Sequence, residues 1–372
     1  MTAGFRTRGQ PAALARVAAW LAAGRCPAAI LVVGPAGVGK TTLALDLAAG
    51  LLCLAADPAE RPCRACAACR KVDHGNHPDV HRLAPSGPGG QVRIDGARGL
   101  LTDLALLPME GRCRVAMVES AHRLNPDAQN ALLKTLEEPP ASAVIVLCAD
   151  DEAVLLETVR SRCTRLRLGP VDARVIAALL AERELADAPR GARIARAAAG
   201  RPGVAIALAA TPEALVVRGR LTRTLLDLAA APRHVRLAAV PVLLADALAL
   251  ADLAAAAAPA DRALPEGEPG TAETRTRTNS PAERRRAAAA LIAAWRGVAR
   301  DLAVAVAGGR TQIADPDLLE DFERAATGLA RSDTAAVMGR LDDMAAAVEA
   351  YANPELVVDG LLLAWPAGRR AA

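Results

Sequence analysis

A glycine-rich stretch near the N-terminus constrains the fold of this chain more than any other segment. The apolar run at 30–33 breaks at Gly34, and helical periodicity resumes after Lys40. The sequence therefore predicts a strand, a loop and a helix in that order. The loop from Gly34 to Thr41 reads G-x-x-x-x-G-K-T, which is the pattern of a phosphate-binding loop.

Each residue type in this loop has a physical reason. Glycines let backbone N–H groups converge on phosphate oxygens without side-chain clashes. Lys40 would reach the β- and γ-phosphates, Thr41 would bind Mg²⁺, and the helix N-terminus adds partial positive charge. The predicted nucleotide-binding residues of this stretch are Gly34, Gly37, Gly39, Lys40, Thr41 and Thr42. Without the rest of the chain, this loop predicts an ATPase.

Composition limits the remaining classes of function. With 372 residues the chain is long enough for two or three domains, and its alanine-rich apolar fraction favours close-packed helices. A net charge of +4 and an aromatic content of 2% argue against a stand-alone zinc-containing DNA-binding module. We expect no membrane span and no signal peptide, and hence a cytoplasmic protein with reduced thiols.

A cysteine cluster follows the phosphate-binding loop. Cys63, Cys66 and Cys69 form a C-x-x-C-x-x-C run, and Cys53 lies ten residues upstream. Four thiolates are the ligand set of a closed tetrahedral site, so the spacing predicts structural Zn²⁺. The alternative is a set of reduced thiols that bind nothing. Nearby histidines could replace one ligand, namely His74, His77 and His81.

Apolar strands alternate with helices up to about residue 170, which predicts an α/β fold with a parallel sheet and helices on both faces. The strand at 114–118 is followed by Glu119 and Ser120. A phosphate-loop hydrolase of the common kind uses one carboxylate here for Mg²⁺ and a second to activate water. Glu119 can take either position, and in both registers the site is one carboxylate short.

Three further segments make the chain resemble a known family. They are Ala-His-Arg-Leu-Asn at 121–125, Asn-Ala-Leu-Leu-Lys-Thr-Leu-Glu-Glu-Pro-Pro at 130–140, and Ser-Arg-Cys at 161–163. With the phosphate-binding loop and the cysteine cluster, they resemble the AAA+ clamp-loader subunits of bacterial DNA polymerase III. The resemblance is dense from 27 to about 170 and weaker beyond.

Within that family, the chain departs from the ATP-hydrolysing gamma/tau motor subunit at three positions, and in these departures it resembles the delta prime subunit. The motor's Asp-Glu pair is replaced by Glu119-Ser120, and its nucleotide-sensing Thr by Ala149-Asp150. Gly203 stands where the motor's lid carries an arginine that reaches the γ-phosphate. The resemblance thus implies a subunit that can hold ATP and Mg²⁺ but hydrolyses ATP slowly or not at all. The alternative is an ATP-hydrolysing gamma/tau-type motor subunit or another AAA+ ATPase.

Arg162 keeps the family pattern. The resemblance implies that it acts as an arginine finger, a permanent planar cation that reaches into the ATP site of the neighbouring subunit. The residues alone favour an ordinary surface arginine over a finger, because Arg160, Arg165 and Arg167 lie close by.

The resemblance also implies a domain order and a set of partners. We expect an AAA+ domain over 1–169 with a zinc module at 53–69, a three-helix lid over 170–211, and an all-α collar over 212–372. A Pro- and Gly-rich segment at 259–281 is expected to be a disordered loop. The expected partners are gamma/tau and delta subunits in a five-membered ring, which loads the sliding clamp onto primer–template DNA.

Overall fold

The computed structural model describes residues 4–85, 92, 94–229, 231–256, 280–350 and 352–365. The chain folds into two compact units. The first comprises Met1–Leu179 with Gly200–Gly203, and the second comprises Leu180–Ala199 with Val204–Ala372. No helix in the described ranges is both long and apolar enough to cross a bilayer. The loop predicted at 259–281 lies, apart from its last two residues, outside the described part of the chain.

The first unit is built on one parallel sheet. Its strands are β1 (Ala29–Val33), β2 (Val80–Leu83), β3 (Arg114–Val118), β4 (Ala143–Ala149) and β5 (Thr164–Arg167). Their spatial order is β2-β3-β4-β1-β5, and every neighbouring pair is parallel. Strand β1 lies between β4 and β5 and pairs Val33 with Ala149 on one side and with Arg167 on the other, so the carboxyl ends of these strands lie beside the loop that follows β1.

Helices cover both faces of this sheet. They are α1 (Pro11–Ala23), α2 (Lys40–Leu52), α3 (Ala67–Asp73), α4 (Ile94–Leu104), α5 (Pro126–Glu137) and α6 (Glu157–Ser161). Alternate residues of β1 face opposite cores: Ile30 packs in the core that contains α1 and α2, and Leu31 in the core that contains α4 and α5. The predicted α/β fold with helices on both faces is confirmed.

The second unit is helical. The remaining helices are α7 (Ala173–Glu182), which lies mostly in the first unit, and α8 (Ala188–Ala197), α9 (Pro202–Ala210), α10 (Pro212–Ala229), α11 (Arg233–Ala238), α12 (Val240–Ala256), α13 (Pro281–Val306), α14 (Leu319–Ala326), α15 (Arg331–Glu349) and α16 (Pro354–Ala364). Trp295 and Phe322 are the largest of its fully buried side chains. The predicted lid over 170–211 contributes residues to both units, and its role as a lid stays a prediction.

Two helix predictions in this unit are wrong. The sequence pattern predicts a single helix over 234–258, but the chain breaks at Ala239, because Pro241 has no N–H to continue the hydrogen-bond ladder. The pattern also predicts a helix over about 316–331, but α14 ends at Ala326. Gly328 then adopts a left-handed φ of 82°, which a helix cannot contain.

Candidate functional site

The loop after β1 has the backbone shape that the glycine pattern predicts. Gly37 and Gly39 adopt left-handed φ values of 79° and 109°, which only glycine reaches without strain. Gly34 lies so close to the end of β5 that an added Cβ would stand 2.4 Å from the Leu168 carbonyl oxygen. Helix α2 begins directly at Lys40, with Thr41 and Thr42 half-buried in its first turn. This cradle has the form that would hold the phosphates of a nucleotide.

Lys40 is buried, with 7% of its side chain exposed. Its ammonium donates to the Gly34 carbonyl at 2.7 Å and to the Pro35 carbonyl at 3.0 Å. The third partner is a carboxylate: Lys40 Nζ lies 2.5 Å from Asp150 Oδ1. The side chain that would contact phosphates in a nucleotide-bound loop is therefore already paired with an anion of the same chain.

Asp150 follows directly after β4 and belongs to the pair Ala149-Asp150, which stands in place of the sensing Thr in the family resemblance. Its backbone N–H donates to His122 Nδ1 at 3.1 Å, and its Oδ2 lies 3.7 Å from His122 Nε2. Cys148, two residues earlier, is fully buried. Burial, together with the negative charges of Glu119 and Asp150, raises the pKa of the Cys148 thiol to about 12 against the opposing charge of Lys40. These three charged groups thus surround the end of β4.

Glu119, the predicted acidic residue, lies at the end of β3 and is bound by an arginine. Arg82 Nε donates to Glu119 Oε1 at 2.8 Å, and Arg82 Nη2 lies 2.6 Å from the same oxygen. A carboxylate held by a guanidinium is a poorer ligand for Mg²⁺ than a free one, because its charge is already neutralised. Its role in binding a cofactor stays a prediction.

Gly203 packs against the phosphate-binding loop. Its N–H donates to the Gly37 carbonyl at 2.8 Å, and an added Cβ would lie 3.1 Å from that oxygen. A side chain at 203 could not be accommodated unless one of the two backbones moved. Arg201, two residues earlier, is desolvated by burial, which lowers its pKa.

The four predicted cysteine ligands come together. Cys53 caps the C-terminus of α2, Cys66 caps the N-terminus of α3, and the sulfurs of all four (Cys53, Cys63, Cys66 and Cys69) lie within 4.8 Å of one another. Tetrahedral zinc with bonds of about 2.3 Å needs sulfurs about 3.8 Å apart, so the cluster fits this metal. The backbone N–H groups of Cys63, Cys66 and Cys69 each point at a cluster sulfur, at 3.4 Å. Such hydrogen bonds favour thiolates, the form that binds zinc.

Arg64 links the cysteine cluster to the phosphate-binding helix. It lies between Cys63 and Cys66 with a left-handed φ of 58°, and its guanidinium pairs with the fully buried Asp46 of α2. The same guanidinium lies 2.5 Å from Asp73 Oδ1 of α3. Asp46 also accepts hydrogen bonds from Thr7 N at 2.8 Å and Thr7 Oγ at 2.6 Å. The cluster, α2, α3 and the N-terminal segment are thereby joined by one ion network.

Arg162 lies at the C-terminal cap of α6, away from the cradle in sequence, and is one-third exposed. Its Nη2 lies 2.5 Å from Glu137 Oε1 at the end of α5, and its Nη1 donates to the Thr158 carbonyl at 2.9 Å. The guanidinium is thus held at the surface of the first unit by the Glu137 carboxylate, the Thr158 carbonyl and, at 3.4 Å, the Ser161 hydroxyl.

Sequence reasoning missed the ion pairs of four residues that shape these sites: Arg64, Arg82, Glu137 and Asp150. A signal is present for only one of them. Asp150 is already part of the pair Ala149-Asp150 that the family resemblance singles out, and an acidic residue at the carboxyl end of a strand next to a phosphate-binding loop can pair with the lysine of that loop. The other three pairings join distant segments, and nothing in the local pattern indicates them.

The strand order, with the phosphate-binding loop pattern directly after β1, is that of the AAA+ fold. Comparison with known proteins makes the class more specific. Residues 9–172 match the family described as DNA polymerase III, delta subunit. Over that range the expected resemblance to clamp-loader AAA+ subunits is confirmed.

The similar proteins include both tau or gamma subunits and delta' subunits of DNA polymerase III. The DNA polymerase III subunit tau of Salmonella typhimurium is 35% identical over 197 residues, 52% of this chain and 30% of that protein. The subunit delta' of Pseudomonas aeruginosa is 38% identical over 142 residues, 37% of this chain and 42% of that protein. The match thus spans less than half the length of either relative. A solved DNA polymerase III gamma subunit-related protein from Thermotoga maritima aligns over 97% of this chain and 100% of its own, with 16% identity and a TM-score of 0.43.

Proposed function

We propose that this chain is the delta prime subunit of a bacterial DNA polymerase III clamp loader. In this proposal it is a largely non-hydrolysing stator that assembles with gamma/tau and delta subunits in a cytoplasmic, ring-shaped complex. The ring loads the sliding clamp onto primed DNA. The match over residues 9–172 supports a clamp-loader subunit, while delta prime identity is the finer step of the proposal.

The pairing of Lys40 with Asp150 is the observation that carries this choice. A motor subunit needs its loop lysine available for the phosphates of ATP, and here that ammonium is 2.5 Å from a carboxylate. The Arg82 guanidinium on Glu119 and the close packing of Gly203 on Gly37 point the same way. In the family resemblance, a gamma/tau motor subunit has a catalytic or sensing group at each of these three places, which here are occupied by Asp150, Glu119 and Gly203.

Arg162 is the residue that we propose to act in trans. Its guanidinium is exposed at a surface, and a planar guanidinium is the kind of group that stabilises a transferring phosphoryl group. Structural Zn²⁺ on the four cysteines completes the proposal. With four thiolate ligands such an ion keeps no position open for water, so it would stabilise the fold and not take part in chemistry.

ATP turnover by the isolated chain tests the choice between stator and motor. The proposal predicts no Mg²⁺-dependent hydrolysis above that of the Lys40→Ala variant. Turnover that Lys40→Ala abolishes would instead identify a gamma/tau-type motor or another AAA+ ATPase.

A further inference from the structure

The ammonium of Lys40 has no capacity left for a ligand. It has three N–H donors, and they are directed at the Gly34 carbonyl, the Pro35 carbonyl and the Asp150 carboxylate. With 7% of the side chain exposed, water cannot easily replace a lost partner. A phosphate group can therefore bind Lys40 only by displacing one of these three acceptors. The carboxylate is the one carried by a partly exposed side chain, whereas the two carbonyls belong to the loop backbone.

Asp150 is anchored through its backbone as well as through its carboxylate. Its N–H donates to His122 Nδ1 at 3.1 Å, which holds the residue at the carboxyl end of β4. A displaced Asp150 side chain would consequently stay within a few ångströms of the loop, since only its side-chain rotamer can change. Its charge would then face the phosphates that displaced it.

We propose that Asp150 sets the nucleotide affinity of this loop by acting as the resident counter-ion of Lys40. The β- and γ-phosphates of a nucleoside triphosphate compete with its carboxylate for the ammonium and are repelled by it once it is displaced. Both effects weaken binding, and both vanish when the carboxylate is replaced by a neutral amide of the same shape. This inference rests on the proposed function in one respect, since it takes the loop as a nucleotide-binding site. It adds to that function the residue that keeps the affinity for nucleotide low.

The test compares three forms of the full chain in equilibrium binding of a fluorescent, non-hydrolysable ATP analogue with Mg²⁺. Asp150→Asn is expected to bind at least about tenfold more tightly than the wild type. Asp151→Asn is the matched control, because Asp151 is the exposed neighbour, and its Oδ1 accepts a hydrogen bond from Ala153 N of the same turn at 2.8 Å. It is expected to bind like the wild type. Adding Lys40→Ala to Asp150→Asn should remove the gain, which would locate it at the ammonium.

Equal affinity of the wild type and Asp150→Asn would overturn the inference, and so would undetectable binding by both. An equal gain in Asp151→Asn would also overturn it, since general charge reduction would then be the cause. These results are separable from the fate of the proposed function. Hydrolysis by the wild type would refute the stator while leaving the affinity comparison valid, and an unchanged affinity in Asp150→Asn would leave the role of Arg162 in place.

Discussion

Glu137 Oε1 at the end of α5 lies 2.5 Å from Arg162 Nη2 at the end of α6. Both side chains are substantially exposed, and exposed ion pairs contribute only about 0–1 kcal/mol to stability because water competes for each charge. Glu137 can therefore hold the guanidinium in one orientation and still release it at little cost to a more strongly charged phosphate.

Glu137→Gln should lower the free energy of unfolding by less than about 1 kcal/mol. Urea denaturation of the isolated chain measures this, with Glu138→Gln as control, because Glu138 is an exposed neighbour of the same type. A loss of several kcal/mol would mean that the pair is a structural element, which Arg162 could not leave.

Zinc should be present at about one equivalent per chain, as determined by metal analysis after purification under reducing conditions. Cys66→Ser should lower the zinc content, because it removes one of the four sulfurs that lie within 4.8 Å of one another. Cys26→Ser is the control, since Cys26 lies outside the cluster and is half-buried. Less than half an equivalent in the wild type, or an equal loss in both variants, would contradict the site.

Asp79 should stabilise the first unit in a pH-dependent manner. Burial opposes its ionisation, but the backbone N–H groups of Met109, Glu110 and Gly111 outweigh burial and hold the pKa of Asp79 below its usual range. A carboxyl whose pKa is lower in the folded state stabilises fully above its unfolded pKa of about 3.9. This contribution is lost as the pH falls through the folded value.

Asp79→Asn should therefore reduce the free energy of unfolding by about 3 kcal/mol at pH 7, since its amide cannot accept all three N–H groups. The difference from the wild type should narrow as the pH falls below about 3.9. Urea titrations at neutral and acidic pH measure both effects, and Asp95→Asn, at an exposed position, is the control. A difference that does not change with pH would rule out the ionised carboxylate as the source.

Arg64→Gln should weaken the connection between the cysteine cluster and α2. It removes the guanidinium partner of Asp46, whose side chain is 0% exposed, and leaves a buried carboxylate with fewer partners. We expect a loss of about 3 kcal/mol in chemical denaturation at saturating Zn²⁺. Arg70→Gln is the control in the same module, because Arg70 is exposed and bonds to the Ala65 carbonyl. A similar loss in both variants would contradict the network.

How far the sequence predicts this structure depends on the range of the interactions. The strand–loop–helix at the phosphate-binding loop and the alternation of strands and helices follow from local periodicity and glycine placement, and the structure has both. The gathering of the four cysteines is also predictable, because three of the four are three residues apart. The helical periodicity does not predict the break at Ala239, although the nearby Pro241 is a local signal for it.

The ion pairs that modify the sites could not be read from local pattern. Lys40 and Asp150 are separated by 110 residues, and Arg82 and Glu119 by 37. Each pair forms only because the strand order places the ends of particular strands side by side. Local pattern therefore predicts a phosphate-binding loop with a free Lys40, whereas in the structure Lys40 is paired with Asp150.

We propose, above all, that Arg162 serves a neighbour's ATP site, while the loop that carries Lys40 does not hydrolyse ATP. The most direct test is the clamp- and DNA-stimulated ATPase of a reconstituted loader that contains Arg162→Ala, Lys40→Ala or Arg167→Ala. Arg167 is the control, being an exposed arginine that is likewise paired with a glutamate, Glu152. We predict that Arg162→Ala slows the site it serves by about 10³-fold, so total turnover falls by that site's share, while the other two variants match the wild type. Unchanged turnover with Arg162→Ala, or a loss with Lys40→Ala, would contradict this assignment.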